Sequence, residues 1–361
     1  MRKHWIDNLR WVTVLLVLFY HVIYFYNNKG VFGGIGGFGD GPQYQDIVMY
    51  ILYPWFMPLL FILAGISAQY SLKNHTNKEW LRARTRKLLI PGTAGLFVFQ
   101  WMTGYFNTAV AGRTGIFDGM PGIAKYALMA ISGTGPLWFI QVLWLLGIVL
   151  LLIRALDRND RLRECCKNLN IIWIILMGVL FWAGEQTLIK NPRPDSIDGL
   201  LNLYKPFFYL IPFLMGYFVF SHDEVQEKLS RAWVPLMTCS IISGAVLIGT
   251  TFGQDNTTPQ YLSSPLNCLY GWLMCLAMMG WFKAKFDSTN SFAGYMTRSS
   301  YGIYIVHYLV IASLGYMMKT YTQLPPAAMY LILTVAVFTL SPLIYEIIRR
   351  IPVVRRCVLG I

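Results

Sequence analysis

The sequence contains few charged residues and no long polar stretch of the kind that forms a soluble domain. Only 13% of its 361 residues are charged, whereas soluble globular domains carry about 25%. Mean hydropathy is +0.48 and 56% of the residues are hydrophobic. We therefore expect a single integral membrane domain over residues 1–361, with no separate soluble domain.

Several motifs that would define a common enzyme class are also missing. The six cysteines show no metal-ligand spacing, so we expect no metal. No serine nucleophile elbow, zinc-hydrolase pattern or Walker phosphate loop is present. A formal G-x-G-x-x-G occurs at Gly34, Gly36 and Gly39, but it follows an apolar segment rather than a strand. We interpret it as a loop over the outer mouth of a helix bundle.

Acidic residues are scarce, and this leaves a formal net charge of +13. Such a charge can indicate nucleic-acid binding, but the positions of the basic residues favour another explanation. Of the 30 Lys and Arg residues, 23 fall in alternate loops and tails. This is the distribution that the positive-inside rule predicts for a polytopic membrane protein. We expect no nucleic-acid partner and expect membrane lipids around the chain.

Apolar runs predict an all-α, polytopic membrane helix bundle in the plasma (cytoplasmic) membrane, with about ten transmembrane helices. The charge distribution places both termini in the cytoplasm. The oligomeric state is open, and a homodimer is compatible with the sequence. The ten predicted spans are 9–27, 46–71, 89–107, 136–155, 171–189, 204–221, 233–252, 265–282, 299–318 and 328–348.

The first predicted span carries an unusual set of ionisable residues. Asp7 and Arg10 lie at its inner end, and His21 lies deep within it. Helical periodicity places all three on one face, with Arg10 and His21 ~16 Å apart along the axis. Ionisable residues inside a span usually mark a functional site. A neutral imidazole can accept a proton from an alcohol, so His21 is a candidate general base, with Asp7 holding Arg10 in place.

The ninth predicted span repeats this pattern. Ser300, Tyr304 and His307 fall at i, i+4 and i+7 and form one polar stripe. His307 lies at a depth similar to that of His21, which suggests that the two histidines share a polar cavity. The alternative is that His307 only forms a hydrogen bond to a neighbouring helix.

The first inner loop is strongly basic. Arg82, Arg84, Arg86 and Lys87 occupy four of six consecutive positions. Guanidinium groups bind phosphates bidentately, so this loop is a candidate site for a polyanionic ligand. On charge alone, a topology signal or contact with anionic lipid explains the loop equally simply.

Three polar or aromatic residues near the outer ends of spans complete the candidate set. Trp138 opens the fourth span, where an aromatic residue is common at the interface. Gln141, one turn further in, is available for a hydrogen bond to a ligand or to another helix. Glu185 lies near the outer end of the fifth span and either lines the cavity or remains in the headgroup zone.

Together these residues resemble the membrane acyltransferase 3 family, whose members are integral-membrane O-acyltransferases. The resemblance extends over residues 7 to 307 and includes similarity to the glucan-modifying (succinyl-transferring) branch. It rests on five motifs. They are Asp7-x-x-Arg10 with His21, Phe61-x-x-x-Gly65, the arginine loop (Arg82, Arg84, Arg86 and Lys87) with Pro91, Leu137-Trp138-Phe139, and Ser300-x-x-x-Tyr304-x-x-His307.

The resemblance implies transfer of an acyl group from cytoplasmic acyl-CoA to a hydroxyl of an extracytoplasmic glycan. Acetyl-CoA is the favoured donor and a succinyl group is the alternative. The arginine loop and Arg10 would hold the phosphates. His21 would act as general base or carry the acyl group itself. Tyr304 and His307 would orient the acceptor or stabilise the oxyanion, and Trp138, Gln141, Glu185 and Ser300 would contact the substrate.

Two other functions remain open on the sequence. A transporter or flippase of an acidic or glycosylated substrate would also use buried histidines and a basic inner loop, although no internal repeat is visible. A non-catalytic polytopic sensor would require no shared cavity. It predicts that His21 and His307 lie more than ~15 Å apart, about the length of ten helical residues.

Overall fold

The computed structural model describes residues 3–28, 33–39, 41–112, 114–157, 160–188 and 204–361. These residues form helices and connecting turns with no strand, which confirms the all-α class. The longer helices, numbered in chain order, are α1 (His4–Phe25), α2 (Ile47–Leu72), α3 (Asn77–Arg84), α4 (Trp101–Val110), α5 (Gly122–Ser132), α6 (Trp138–Leu156), α7 (Ile171–Leu176), α8 (Gly178–Leu188), α9 (Pro206–Phe218), α10 (Asp223–Thr251), α11 (Pro265–Lys285), α12 (Ser291–Tyr321) and α13 (Pro326–Ile348).

Several helical stretches are long and apolar enough to cross a membrane, so this is a multi-pass membrane protein. Within the ranges given above there are seven: His4–Phe25, Tyr44–Leu72, Gly135–Leu156, Ile171–Leu188, Asp223–Thr251, Ser291–Tyr321 and Pro326–Ile348. Two further predicted spans coincide with α9, which has 13 residues, and α11, which has 21. The count of ten and the cytoplasmic termini stay predictions. Four outer basic residues used for that topology lie outside the described residues: Lys29, Arg113, Lys190 and Arg193.

The segment predicted as the third span is helical but interrupted. It consists of one turn at Ile90–Gly92, a wide turn at Leu96–Gln100, and then α4. At Thr93 the backbone leaves the helical region, with φ −129° and ψ −78°. Pro91 has no amide hydrogen to donate, and Gly92 beside it is a weak helix former. This local composition explains why a continuous helix over 89–107 does not form.

The described chain divides into two compact units, and the division points fall inside helices. Unit 1 contains Met1–Thr13, Tyr50–Leu81 and Leu145–Gly294. Unit 2 contains Val14–Met49, Arg82–Trp144 and Tyr295–Ile361. Each unit is described by itself below. The prediction of a single domain stays a prediction.

In unit 1, α2 and α9 pack closely through two glycines. A Cβ on Gly65 would collide with the carbonyl oxygen of Phe213, and a Cβ on Gly216 would collide with that of Ile62. One turn away, the rings of Phe61 and Tyr209 stack with centroids 4.5 Å apart. Small residues allow helix backbones in membranes to approach this closely. The Phe61-x-x-x-Gly65 motif therefore lies at a close helix–helix contact.

In unit 2, α4 and α5 meet through a second pair of glycines. A Cβ on Gly104 would collide with the carbonyl oxygen of Met129, and one on Gly133 would collide with that of Gln100. The buried Gln100 side chain in turn donates to the carbonyl oxygen of Ile305 on α12, at 2.8 Å. This pair of helices is therefore tied to α12, the helix that carries His307.

Candidate active site

Two histidines from distant parts of the sequence are in direct contact in unit 2. His21 Nδ1 on α1 lies 3.1 Å from His307 Nε2 on α12. His307 is 0% exposed, while His21 is half-buried. The structure thus brings the two histidines together, while the polar cavity that they were predicted to share stays a prediction. Their contact excludes a separation of more than ~15 Å, which would have favoured a non-catalytic sensor.

The hydrogen bonds around this pair define a consistent set of proton positions. The backbone carbonyl of Tyr304 lies within hydrogen-bond distance of His307 Nδ1, and a carbonyl can only accept. His307 Nδ1 is therefore protonated, and in a neutral ring Nε2 is then the acceptor. With both rings neutral, His21 Nδ1 donates to it. This arrangement leaves the lone pair of His21 Nε2 free to accept a proton.

Aromatic rings enclose the histidine pair. Tyr308 and Tyr24 present their ring edges to His21, with centroids 5.3 and 6.0 Å away. Tyr304 stacks on His307 at 5.7 Å. The Tyr308 hydroxyl donates to the carbonyl of Gly33 at 3.0 Å. An environment of this kind lowers the local dielectric constant and strengthens hydrogen bonds to the imidazoles.

The beginning of α6 packs against the same part of α12. The Tyr304 hydroxyl donates to the carbonyl oxygen of Pro136, and the Phe139 ring lies edge-on to Tyr304 at 6.1 Å. Trp138 is half-buried beside Phe139, with ring centroids 6.4 Å apart. The structure therefore brings Trp138 close to the residues around His307. Phe139 was not among the predicted site residues, although its neighbour Trp138 was.

A tyrosine that the sequence did not single out connects the arginine loop with this helix. The Tyr301 hydroxyl donates to the backbone carbonyl of Lys87, and the Lys87 ammonium lies 5.6 Å from the Tyr301 ring centroid. Arg84 is close enough for its charge to act on the Tyr301 hydroxyl. Tyr301 and His307 are six residues apart on α12, which corresponds to ~9 Å of helix rise. Residue spacing could not indicate the contact between Tyr301 and Lys87, because the two residues are more than 200 positions apart in the sequence.

The arginine loop itself is helical and largely exposed. Arg82 and Arg84 end α3, and the chain continues in a wide turn that carries Arg86 and Lys87. Arg82, Arg86 and Lys87 are exposed, whereas Arg84 is half-buried. Among the residues that the structure describes, Arg82 and Arg86 make no ion pair. Their charges are therefore available to a polyanion.

Two further predicted residues of unit 2 occupy defined positions. Gln141 Nε2 donates to the backbone carbonyl of Gly92 at 2.7 Å and so ties α6 to the interrupted helix after the arginine loop. Ser300 is buried on α12. Contact of either residue with a substrate stays a prediction.

Asp7 and Arg10 belong to unit 1, where they form the predicted pair. Arg10 Nη1 donates to Asp7 Oδ1 at 3.0 Å, and Arg10 Nη2 donates to Ser67 Oγ on α2 at 2.6 Å. Ser67 was not predicted as a site residue. The two bonds fix the orientation of the guanidinium plane. Helix α1 runs without interruption from this pair to His21.

Glu185 also belongs to unit 1 and is buried in it. Its side chain is 4% exposed, and the Cys268 thiol donates to its Oε2 at 3.5 Å. Whether it lines a cavity, as one of the two predicted placements requires, stays a prediction. Its role toward a substrate stays a prediction.

Comparison with known proteins supplies the last observation. The acyltransferase 3 family model, described as an acyltransferase domain, matches residues 3–346. The chain is 18% identical over 320 residues to glucans biosynthesis protein C of Shigella dysenteriae serotype 1 (strain Sd197) and of Escherichia coli (strain K12). In both alignments 85% of this chain and 81% of the relative are covered. No solved structure matches.

Proposed function

Because the chain belongs to the acyltransferase 3 family, we propose that it transfers an acyl group from cytoplasmic acyl-CoA to a hydroxyl of an extracytoplasmic glycan in the cytoplasmic membrane. The observation that carries this proposal is the contact between His21 and His307, which leaves one imidazole nitrogen unprotonated. The name of the two relatives, which refers to glucan biosynthesis, supports a glycan acceptor.

In the reaction, His21 Nε2 takes the proton of the acceptor hydroxyl as its oxygen attacks the thioester carbonyl. The carbon–sulfur bond then breaks, and the CoA thiolate leaves with a proton returned from the His21 imidazolium. His307 accepts the Nδ1 hydrogen of His21 throughout and stabilises the imidazolium as it forms. An ester and free CoA are the products, so atoms and charge balance.

A covalent route uses the same nitrogen. In that variant His21 Nε2 attacks the thioester and CoA leaves as the thiolate; the acceptor hydroxyl then displaces the acyl group from the imidazole, and its proton passes to the thiolate. Both routes require the tautomer that His307 favours. The direct route is preferred, because it needs one chemical step fewer: the acyl group is not moved onto the imidazole and off again.

The donor side of the site is the arginine loop. Arg82, Arg84 and Arg86 would hold the phosphates. Tyr301 lies between this loop and His307 along α12. The thiol-bearing arm would run past Tyr301, which lies ~9 Å of helix rise from His307, with the phosphates outside and the thioester at the histidines.

The acyl group is proposed to be acetyl. A succinyl group is the alternative, because the sequence is similar to the glucan-modifying branch. The rings in contact with His21 belong to Tyr20, Tyr24, His307 and Tyr308, and none of them carries a fixed positive charge. A small uncharged acyl group suits this environment better than a carboxylate does.

The test is release of free thiol from acetyl-CoA by purified protein in proteoliposomes supplied with a glucan oligosaccharide. Wild type should release thiol, and His21→Gln should reduce the rate by about 10²- to 10⁴-fold, the usual contribution of a general base. His75→Gln is the matched control, since His75 is exposed and its Nδ1 lies 2.9 Å from the Ser71 carbonyl oxygen.

The transporter alternative predicts a different outcome. A transporter or flippase would move a labelled substrate across the vesicle membrane without thiol release. Absence of thiol release from wild type with acetyl-CoA and with succinyl-CoA would contradict the proposed function.

A further inference from the structure

The chain segment after α13 folds back onto the arginine loop. One helical turn at Pro352–Val354 leads into a wide turn at Arg355–Leu359. Val358 and Leu359 are buried in unit 2. Gly360 is left-handed at φ +67°, and a Cβ there would lie 2.8 Å from Lys87 Cα. The close approach to the arginine loop therefore requires glycine at this position.

A second contact fixes the same segment. A Cβ on Gly95 would lie 2.8 Å from the carbonyl oxygen of Cys357. Gly360 thus lies against the arginine loop, and Cys357 lies against the interrupted helix that follows it. Arg355 and Arg356 directly precede Cys357 in the chain and belong to the same docked segment.

The charges in this segment are largely uncompensated. Arg349 is paired with Glu346 at 2.7 Å, but Arg355 and Arg356 make no ion pair within the described part of the chain. Arg355 Nε is inaccessible to solvent and has no hydrogen-bond partner there. A desolvated, unpaired guanidinium donor is costly, and a turn of this half-buried side chain toward a bound anion would remove that cost.

From this placement we propose that Arg355 and Arg356 form a second phosphate-binding cluster for the donor, beside the arginine loop. The inference rests on acyl-CoA being the donor. Such a donor carries two separate anionic groups, a pyrophosphate and a ribose 3′-phosphate. The arginine loop adjoins Tyr301 on the helix that leads to His307, so it binds the pyrophosphate next to the thiol-bearing arm. The 355–356 cluster then binds the 3′-phosphate.

The same chemistry would also attract the phosphate of an anionic lipid headgroup. The experiment separates the two by measuring binding rather than turnover. Titration calorimetry compares CoA with 3′-dephospho-CoA, using wild type and Arg355→Gln/Arg356→Gln in phosphatidylcholine nanodiscs. Arg231→Gln is the charge-matched control for the single variants Arg355→Gln and Arg356→Gln, because Arg231 is exposed on α10 in unit 1.

Wild type should bind CoA about 10-fold or more tightly than 3′-dephospho-CoA, as expected for a charge-assisted phosphate contact. The double variant should lose this preference and bind both molecules with the wild-type affinity for 3′-dephospho-CoA. The control should keep the preference. Single Gln variants, each checked for an unchanged melting temperature, guard against a folding defect.

Three results would overturn the inference. One is a wild-type protein without preference between the two molecules, and another is a preference that the double variant retains. The third is unchanged CoA binding by the double variant together with loss of stabilisation by phosphatidylglycerol, which would assign the cluster to lipid. None of these depends on thiol release, so failure of the proposed function would be recognised separately.

Discussion

The contact between His307 and His21 allows the contribution of His307 to be worked out in advance. His307→Leu removes the buried acceptor of the His21 Nδ1 hydrogen. That acceptor is His307 Nε2, which lies 3.1 Å from His21 Nδ1. This bond becomes charge-assisted when His21 holds the transferred proton, and such bonds contribute about 1.5–3 kcal/mol. Since each 1.36 kcal/mol is a factor of ten in rate, kcat should fall by about 10- to 150-fold.

The KM for acyl-CoA should change little in this variant, because His307 supports His21 and does not touch the donor phosphates. His307→Gln supplies an amide oxygen as a replacement acceptor and should recover part of the lost rate. Steady-state thiol release by the purified variants provides both parameters. A raised KM with an unchanged kcat, or equal activity of wild type and His307→Leu, would refute the reasoning about the histidine pair.

Three further predictions concern packing, the outer loop and pH. Gly65→Ala should destabilise the protein by about 1–3 kcal/mol, because the new methyl group meets the immobile backbone of α9. Gly249 faces open space, so the control Gly249→Ala should not lower the melting temperature. Lys319→Met should speed hydrogen exchange in residues 33–39, because the Lys319 ammonium donates to carbonyls of that loop, including Gly37 at 2.7 Å; unchanged exchange would contradict this. Burial, together with the charge of Arg163, lowers the pKa of His222 below its ordinary 6.5. The folded state therefore binds fewer protons than the unfolded state, and the melting temperature should drop as pH falls below 6.5. The drop should be smaller in His222→Gln.

Contacts within one helix were readable from the sequence. Asp7 and Arg10 are three residues apart, and helical geometry alone places them side by side; the structure has them 3.0 Å apart. The meeting of His21 and His307 was suggested by equal depth in two spans that run in the same direction. Depth in the membrane limits the possible partners strongly, which is why a contact over 286 positions could be anticipated.

Contacts that depend on how helices pack could not be predicted in the same way. Nothing about Tyr301 in the sequence indicates that its partner is the carbonyl of Lys87. The docking of Gly360 on the arginine loop is equally invisible, because it depends on a left-handed glycine and a close backbone approach. Pro91 and Gly92 indicate the interruption at Thr93. The prediction of a continuous span over 89–107 followed the hydrophobicity of that segment instead.

The central claim is that His21 transfers an acyl group from acyl-CoA to a glycan hydroxyl. The most direct measurement supplies isotope-labelled acetyl-CoA to proteoliposomes with a glucan oligosaccharide and detects labelled ester by mass spectrometry. Wild type and His75→Gln should label the oligosaccharide to the same extent, and His21→Gln should lose about 10²- to 10⁴-fold of that activity. Equal labelling by His21→Gln, at equal protein and equal CoA affinity, would contradict the account.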